Sequence, residues 1–324
     1  MPILDSAYNP PWLFKNGHLN TIISNQMRNI EGLNYNRQRF ETPDGDFFDV
    51  DFSIKGSDTL VLVLHGLEGN SERPYAKGMV RGANNQGWDA CVLNQRGCSG
   101  EANKLLNSYH SGWTTDLRFL IDHFVKENHY KTIFLVGISI GGNMVLKYLG
   151  EEGVAVSSKI KAAVAVSSPV DLYSSVEELA KPSTWVYMRR FLKTLKAKSR
   201  VKLAEHPESG IDLNSLMLSK SFKDFDHQFT APVNGFDSGM DYWTKNSSRP
   251  FIPNITIPTL LLTSLDDPFL GPKCYPFEEA HLSTVFHLMA TKYGGHVGFS
   301  NHWNIHKPTW AEENGFGFLG QMFN

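Results

Sequence analysis

The sequence predicts an α/β fold: a mostly parallel central sheet with helices on both faces and a helical cap inserted late in the chain. Three observations predict it. Short, continuously apolar runs recur along the chain, as strands covered on both faces do. Helical stretches separate those runs, which implies parallel strands joined by right-handed crossovers. One long interval, residues 169–255, breaks the alternation and reads as helix instead. With 324 residues, of which 41% are hydrophobic, the chain suits one large globular domain spanning residues 1–324.

The elements follow in order. "FFDVDFSI" (47–54) alternates apolar and polar residues, the pattern of a half-buried antiparallel edge strand. "TLVLVLH" (59–65) is apolar throughout and predicts a central strand, followed by a helix in "ERPYAKGMVRGANNQ". "WDACVLN" (88–94) predicts the next strand. "TTDLRFLIDHFVKEN" (114–128) places Leu117, Leu120, Ile121, Phe124 and Val125 on one face, the signature of an amphipathic helix. "KTIFLV" is a buried strand, residues 142–149 a helix, and "IKAAVAVSS" (160–168) another strand. "TIPTLLLTSL" (256–265) and "STVFHLMAT" (283–291) complete the set. Between them, 169–255 is too long for a structureless loop, so it predicts a helical cap above the sheet edge where such folds bind ligands.

Function enters at "VGISIGGN" (136–143), where a predicted strand turns directly into a predicted helix. Gly137-Ile138-Ser139-Ile140-Gly141 has the spacing of a nucleophile elbow, in which a strained serine projects clear of the sheet. The motif alone arises by chance in roughly one chain in five at this glycine content, so its partners decide. Acyl transfer at serine needs a base, an acid to orient that base, and donors for the oxyanion. Asp266 and Asp267 end the strand "TLLLTSL", and His296 sits in the glycine-rich turn "GGHVG" just past the last strand. His281, His287, His302 and His306 lie in a helix, inside a strand or near the final helix, which leaves His296 as the base. The oxyanion donors expected are the backbone N–H groups of Ile140, after the nucleophile, and of Leu67, in the loop after "VLVLHG".

These stretches resemble the AB hydrolase 4 family, the YheT-like branch of the α/β-hydrolase superfamily. The similarity rests on "LHGLEGN", "NQRGCSGEANKLLNSYHSGWTTDL", "VGISIGGNMVLKYLG", "DDPF", "TKYGGHVGF" and, near the start, "PPWLFKNGHLNTI" with Asn20 where the family has Gln. It covers nearly the whole chain and is weakest in the cap. It implies an α/β-hydrolase fold and a serine hydrolase of carboxylic esters, lipid-like in several members. The family pattern also implies Asp267 rather than Asp266 as the acid. Pro268 restricts Asp267 to extended angles, while Asp266 stays open as the alternative.

Other classes are weighed against the residues. A net charge of −2 gives no global field for nucleic acid. Cys91, Cys98 and Cys274 lack ligand spacing, and no cluster has zinc or calcium spacing, so neither metal nor cofactor is expected. With no basic leader and no long apolar run, a cytoplasmic protein without a transmembrane segment is expected. Arg96 is expected to hold loop carbonyls near the site, and His18 and His110 to be structural. Residues 181–204 carry eight Lys or Arg and no acid, which allows weak peripheral membrane contact beside a small-molecule ester with a hydrophobic acyl chain. The same triad would serve an acyltransferase passing the acyl group to an alcohol. A non-enzymatic binding protein on this fold usually lacks a triad member.

Overall fold

The computed structural model describes residues 2–323. Eight strands form one sheet among the described residues: β1 (Asn36–Glu41), β2 (Phe47–Ser53), β3 (Thr59–Leu64), β4 (Asp89–Asn94), β5 (Thr132–Ile138), β6 (Ile160–Val166), β7 (Thr259–Ser264) and β8 (Phe286–Thr291). Their spatial order is β1-β2-β4-β3-β5-β6-β7-β8. β1–β2 and β2–β4 pair antiparallel, and every later pair is parallel.

The central strands are largely apolar, and both of their faces are covered. Alternate residues of β3 feed two separate cores, as a period of two requires. Leu60, Leu62 and Leu64 join one core. Its cover is α3 (Thr115–Glu127), α4 (Ile140–Glu152) and α11 (Phe277–Leu282). Val61 and Val63 join the other, beneath α2 (Pro74–Asn85) and α12 (Trp310–Gln321). A short α1 (Gly17–Gln26) lies near α2 at the sheet's C-terminal edge.

Between β6 and β7 the chain forms α5 (Leu172–Leu179), the long α6 (Trp185–Glu205) and four shorter helices. These are α7 (Leu213–Leu218), α8 (Phe222–Phe225), α9 (Ala231–Val233) and α10 (Gly239–Asn246). They have a third core of their own, built on Leu172, Met188, Leu192, Phe222, Phe225 and Trp243. Phe269, just past β7, joins that core and ties it to the sheet edge. Along α6, Met188 and Leu192 are buried, whereas Trp185 is exposed.

Three elements depart from the sequence expectation. β2, expected as a half-buried edge strand, lies between β1 and β4 and is buried along almost its whole length. β1 was not foreseen, because its pattern "NRQRFE" is exposed except at Phe40. It holds through arginines reaching across to the neighbouring strand: Arg37 to Asp51 and Arg39 to Asp49. α1 was not foreseen either, and its polarity is inverted. Asn20, Thr21 and Ser24 are buried, while Leu19 and Ile22 face solvent.

Candidate active site

β5 ends at Ile138 and α4 begins at Ile140, so Ser139 alone makes the corner. Its angles are φ 56° and ψ −123°, a strained position for a residue with a Cβ. Its N–H donates to the Val166 carbonyl at 2.8 Å, which pins the corner to β6. The flanking glycines are there for space. A Cβ on Gly137 would lie 2.4 Å from the Gly141 carbonyl oxygen, and one on Gly141 the same distance from that of Leu64.

Ser139, His296 and Asp267 form a continuous chain of hydrogen bonds. The Ser139 hydroxyl donates to His296 Nε2 at 2.9 Å. His296 Nδ1–H donates to Asp267, 2.9 Å from Oδ2 and 3.1 Å from Oδ1. Asp267 Oδ1 also accepts the Phe269 N–H at 2.8 Å, and the Phe269 ring stacks on the imidazole with centroids 4.1 Å apart. A hydroxyl donor at Nε2 and a carboxylate acceptor at Nδ1 fix the Nδ1–H tautomer, which leaves the Nε2 lone pair able to take a proton. Asp266 points elsewhere. Its Oδ1 accepts the Gly295 N–H at 2.9 Å, and burial raises its pKa.

α1 holds the loop that carries His296, and this explains its buried polar face. Thr21 Oγ1 accepts the His296 N–H at 2.8 Å, and Asn25 Nδ2 donates to the His296 carbonyl at 3.2 Å. Asn20 Oδ1 accepts the Ser300 N–H, and Ser24 bonds the Ser300 hydroxyl. The held loop is strained, with Val297 at φ 59° and Phe299 at φ 46°. Sequence reasoning missed this role. The signal available was "GHLNTIISN", a run of amide and hydroxyl residues spaced three and four apart.

The backbone N–H groups of Leu67 and Ile140 flank the serine and have no hydrogen-bond partner among the described residues. Ile140 is the first residue of α4, where N–H groups are unpaired by geometry. Leu67 is aimed by its neighbour. His65 is fully buried, and burial pushes its pKa down to about 4, so it is neutral. The Gln95 N–H donates to His65 Nε2 at 3.0 Å, which places the ring proton on Nδ1. That N–H donates to the Gly66 carbonyl at 2.7 Å. In a trans peptide the N–H points opposite to the carbonyl, so holding the Gly66 oxygen turns the Leu67 N–H the other way. Next to it, Glu68 stands at φ 54°, with Tyr109 donating to its carboxylate at 3.0 Å and Lys198 of α6 paired at 2.8 Å.

Two cavities meet at Ser139 and His296. One, of about 320 Å³, is open and is bordered by Ile22, Gln26, Arg73, Val186 and Arg190. The other, of about 100 Å³, runs under the cap between Leu172, Val176, Phe222, Phe225 and Trp243. Asp226 borders it, held by Trp243 Nε1 at 2.8 Å and Thr230 Oγ1 at 2.7 Å, and burial lifts its pKa to about 6. His110 borders it too, and burial lowers its pKa to about 3.

Arg96 differs from its expected role. It does not hold loop carbonyls; its guanidinium, 1% exposed, pairs with Asp116 and Asp44 and faces the Trp113 ring. His18 bonds Tyr187 of the cap, at 3.2 Å. Burial pushes the Cys98 thiol up to about 11 beside Lys198. Among the described residues no group of three or more His, Cys, Asp or Glu could hold a metal ion, and no helix is long and apolar enough to cross a membrane.

Comparison with known proteins gives the same kind of scaffold. The alpha/beta hydrolase fold family matches residues 59–299. "Putative esterase YheT" of Escherichia coli (strain K12) is 35% identical over 304 residues, covering 92% of this chain and 88% of YheT. Phospholipase ABHD3 of Homo sapiens is 29% identical over 307 residues, with 92% and 75% covered. A Pyrococcus furiosus esterase, Pf2001, superposes with a TM-score of 0.61 at 16% identity, covering 93% of this chain and 97% of that one; this is a likeness of fold.

Proposed function

We propose, for a chain that belongs to the alpha/beta hydrolase fold family and to its YheT-like branch, that it hydrolyses carboxylic esters through an acyl-enzyme on Ser139. The observation that carries this reading is the unbroken Ser139–His296–Asp267 chain opening on two cavities. Relatives named as an esterase and a phospholipase support the reaction class.

Each residue has a step. His296 Nε2 takes the hydroxyl proton as Ser139 Oγ attacks the ester carbonyl carbon. The carbonyl oxygen becomes an oxyanion between the Leu67 and Ile140 N–H groups, whose dipoles are already aimed and need no reorganisation. Asp267 holds the imidazolium that forms. The C–O bond to the alcohol then breaks, and His296 returns the proton to the departing oxygen. Water repeats the sequence on the acyl-enzyme, releasing the acid and restoring Ser139. The cavity under the cap suits the acyl chain, and the larger one, bordered by Ile22, Val186 and Arg190, suits the alcohol portion. The inserted segment 169–255 acts on this reading as a cap that shapes both.

A fluorophosphonate probe tests the reading beside a p-nitrophenyl ester panel run with and without an added alcohol. Wild type is expected to label and to release acid, and Ser139→Ala to lose both. Labelling that persists in the alanine variant removes Ser139 from its role. Alcohol esters as the main product would make the protein an acyltransferase on the same triad.

A further inference from the structure

The buried side of α1 is accounted for by the His296 loop; its other side is not. Leu19 is 39% exposed and Ile22 42%, and Met27, just past the helix end, is 64% exposed. Across the same opening, Val186 in the first turn of α6 is 55% exposed, and its neighbour Trp185, 56% exposed, borders an adjoining groove along α6. The two helices meet there: His18 of α1 stacks on and bonds Tyr187 of α6. Ile22 and Val186 both border the open cavity that leads to Ser139. A helix that buries its amides and exposes its aliphatics gains nothing for the fold from that face. Contiguous exposed apolar surface of this kind marks an interaction site.

Charge indicates what the surface meets. Of the eight cations in residues 181–204, several are engaged within the molecule. Lys181 pairs with Glu178 and Lys198 with Glu68. Lys196 donates to the Met217 and Ser219 carbonyls, and Lys202 to those of Asn103 and Leu105. Arg189, Arg190 and Lys193 are exposed and have no carboxylate partner among the described residues. They follow Trp185 and Val186 within the next two turns of α6, and Arg190 also borders the open cavity. Tryptophan and aliphatics beside free cations form the pattern of a surface that lies on anionic lipid.

We infer that the rim formed by Leu19, Ile22, Trp185 and Val186, flanked by Arg189, Arg190 and Lys193, docks the protein on an anionic lipid surface with the open cavity facing the lipid. An apolar ester could then pass from the lipid to Ser139 without crossing water. The location of the mouth rests on the reading of Ser139 as nucleophile; the docking itself does not.

Sedimentation of full-length Ser139→Ala protein with vesicles tests the inference, because binding is then read without hydrolysis. Hydrolysis by wild type is measured separately on a soluble ester, so failure of one reading is distinguishable from failure of the other. Binding to phosphatidylcholine vesicles containing phosphatidylserine is expected to exceed binding to phosphatidylcholine alone by about tenfold at low ionic strength, and to weaken as salt screens the headgroups. Adding Leu19→Ser and Trp185→Ser should reduce binding to both vesicles. Arg189→Gln, Arg190→Gln and Lys193→Gln together should abolish the phosphatidylserine preference; these side chains are exposed, so this variant still decides the matter if the first one loses its thermal midpoint. Absence of binding to phosphatidylserine vesicles, or equal binding by all variants, overturns the inference. So does a dimer in sedimentation velocity that Leu19→Ser and Trp185→Ser dissociate, since a second copy would then be what covers the rim.

Discussion

Replacing His65 by leucine should slow the chemical step without touching any group that contacts the ester. The imidazole holds the Gly66 oxygen at 2.7 Å and takes the Gln95 N–H at 3.0 Å. Leucine keeps the buried volume but removes both bonds. The Gly66 carbonyl keeps one partner, the Gly69 N–H at 3.0 Å, so the loop should loosen rather than collapse. A fully lost oxyanion donor costs about 10²–10³ in kcat, so a donor that is mis-aimed part of the time should cost roughly tenfold to a hundredfold, with KM little changed. Stability supplies an independent signature. The folded pKa of about 4 lies below the ordinary histidine value of 6.5, so the neutral ring stabilises the fold above pH 6.5. That stability is lost as pH falls from 6.5 towards 4, because the unfolded chain gains the proton first. A shift of that size corresponds to about 3 kcal/mol for this fully buried group. The assays are kcat and KM on a soluble ester, affinity for a trifluoromethyl ketone whose hemiketal mimics the oxyanion, and urea unfolding across pH 4–7. The leucine variant should lose kcat and inhibitor affinity in parallel and show a flatter stability profile. A folded variant with kcat within about twofold of wild type would mean that His65 does not aim Leu67.

Three further outcomes follow from the same geometry. Asp267→Asn should lower kcat far more than Asp266→Asn, since only Asp267 reaches His296; the reverse order in a kinetic comparison would exchange their roles. Asp226→Asn should raise the thermal midpoint at pH 7 and remove a fall in stability between about pH 4 and 6. The sign follows because the folded carboxyl titrates near 6, so it binds its proton longer than the unfolded one and burial of the charged form costs stability above that range. An unchanged profile would show Asp226 to be ionised at little cost. In the ester panel, chains long enough to reach Leu172, Phe225 and Trp243 should be hydrolysed faster than acetate, each buried methylene contributing up to about 0.8 kcal/mol. Acetate as the preferred substrate would mean that the cavity under the cap does not take the acyl chain.

The parts of the molecule legible in the sequence are those where one local rule decides. β3, β5 and β7 are buried on both faces, so their composition declares them. Gly137 and Gly141 are required by backbone contacts within a few residues or on the adjacent strand, so the elbow is visible as spacing. β1 was not legible because its stability comes from cross-strand pairs such as Arg39–Asp49, which no period in its own sequence encodes. α1 was hidden for a related reason: its buried groups are chosen to bond a loop some 280 residues later, so its apolar pattern runs opposite to a core helix. His65 was read only as the end of a strand, since the bonds that give it a task involve Gln95, on the neighbouring strand's exit.

The order of the triad along the chain has a consequence for synthesis. The serine corner is complete once β6 supplies the Val166 oxygen, but its base lies 157 residues beyond it, after the whole inserted helical segment. A chain that ends anywhere before β8 therefore lacks the imidazole that bonds the Ser139 hydroxyl. On the proposed reading, such a fragment would have an ordinary alcohol at Ser139 and would not acylate itself on passing esters. On that reading reactivity would depend on a segment made long after the serine, so interrupted translation would yield inert products rather than partial enzymes.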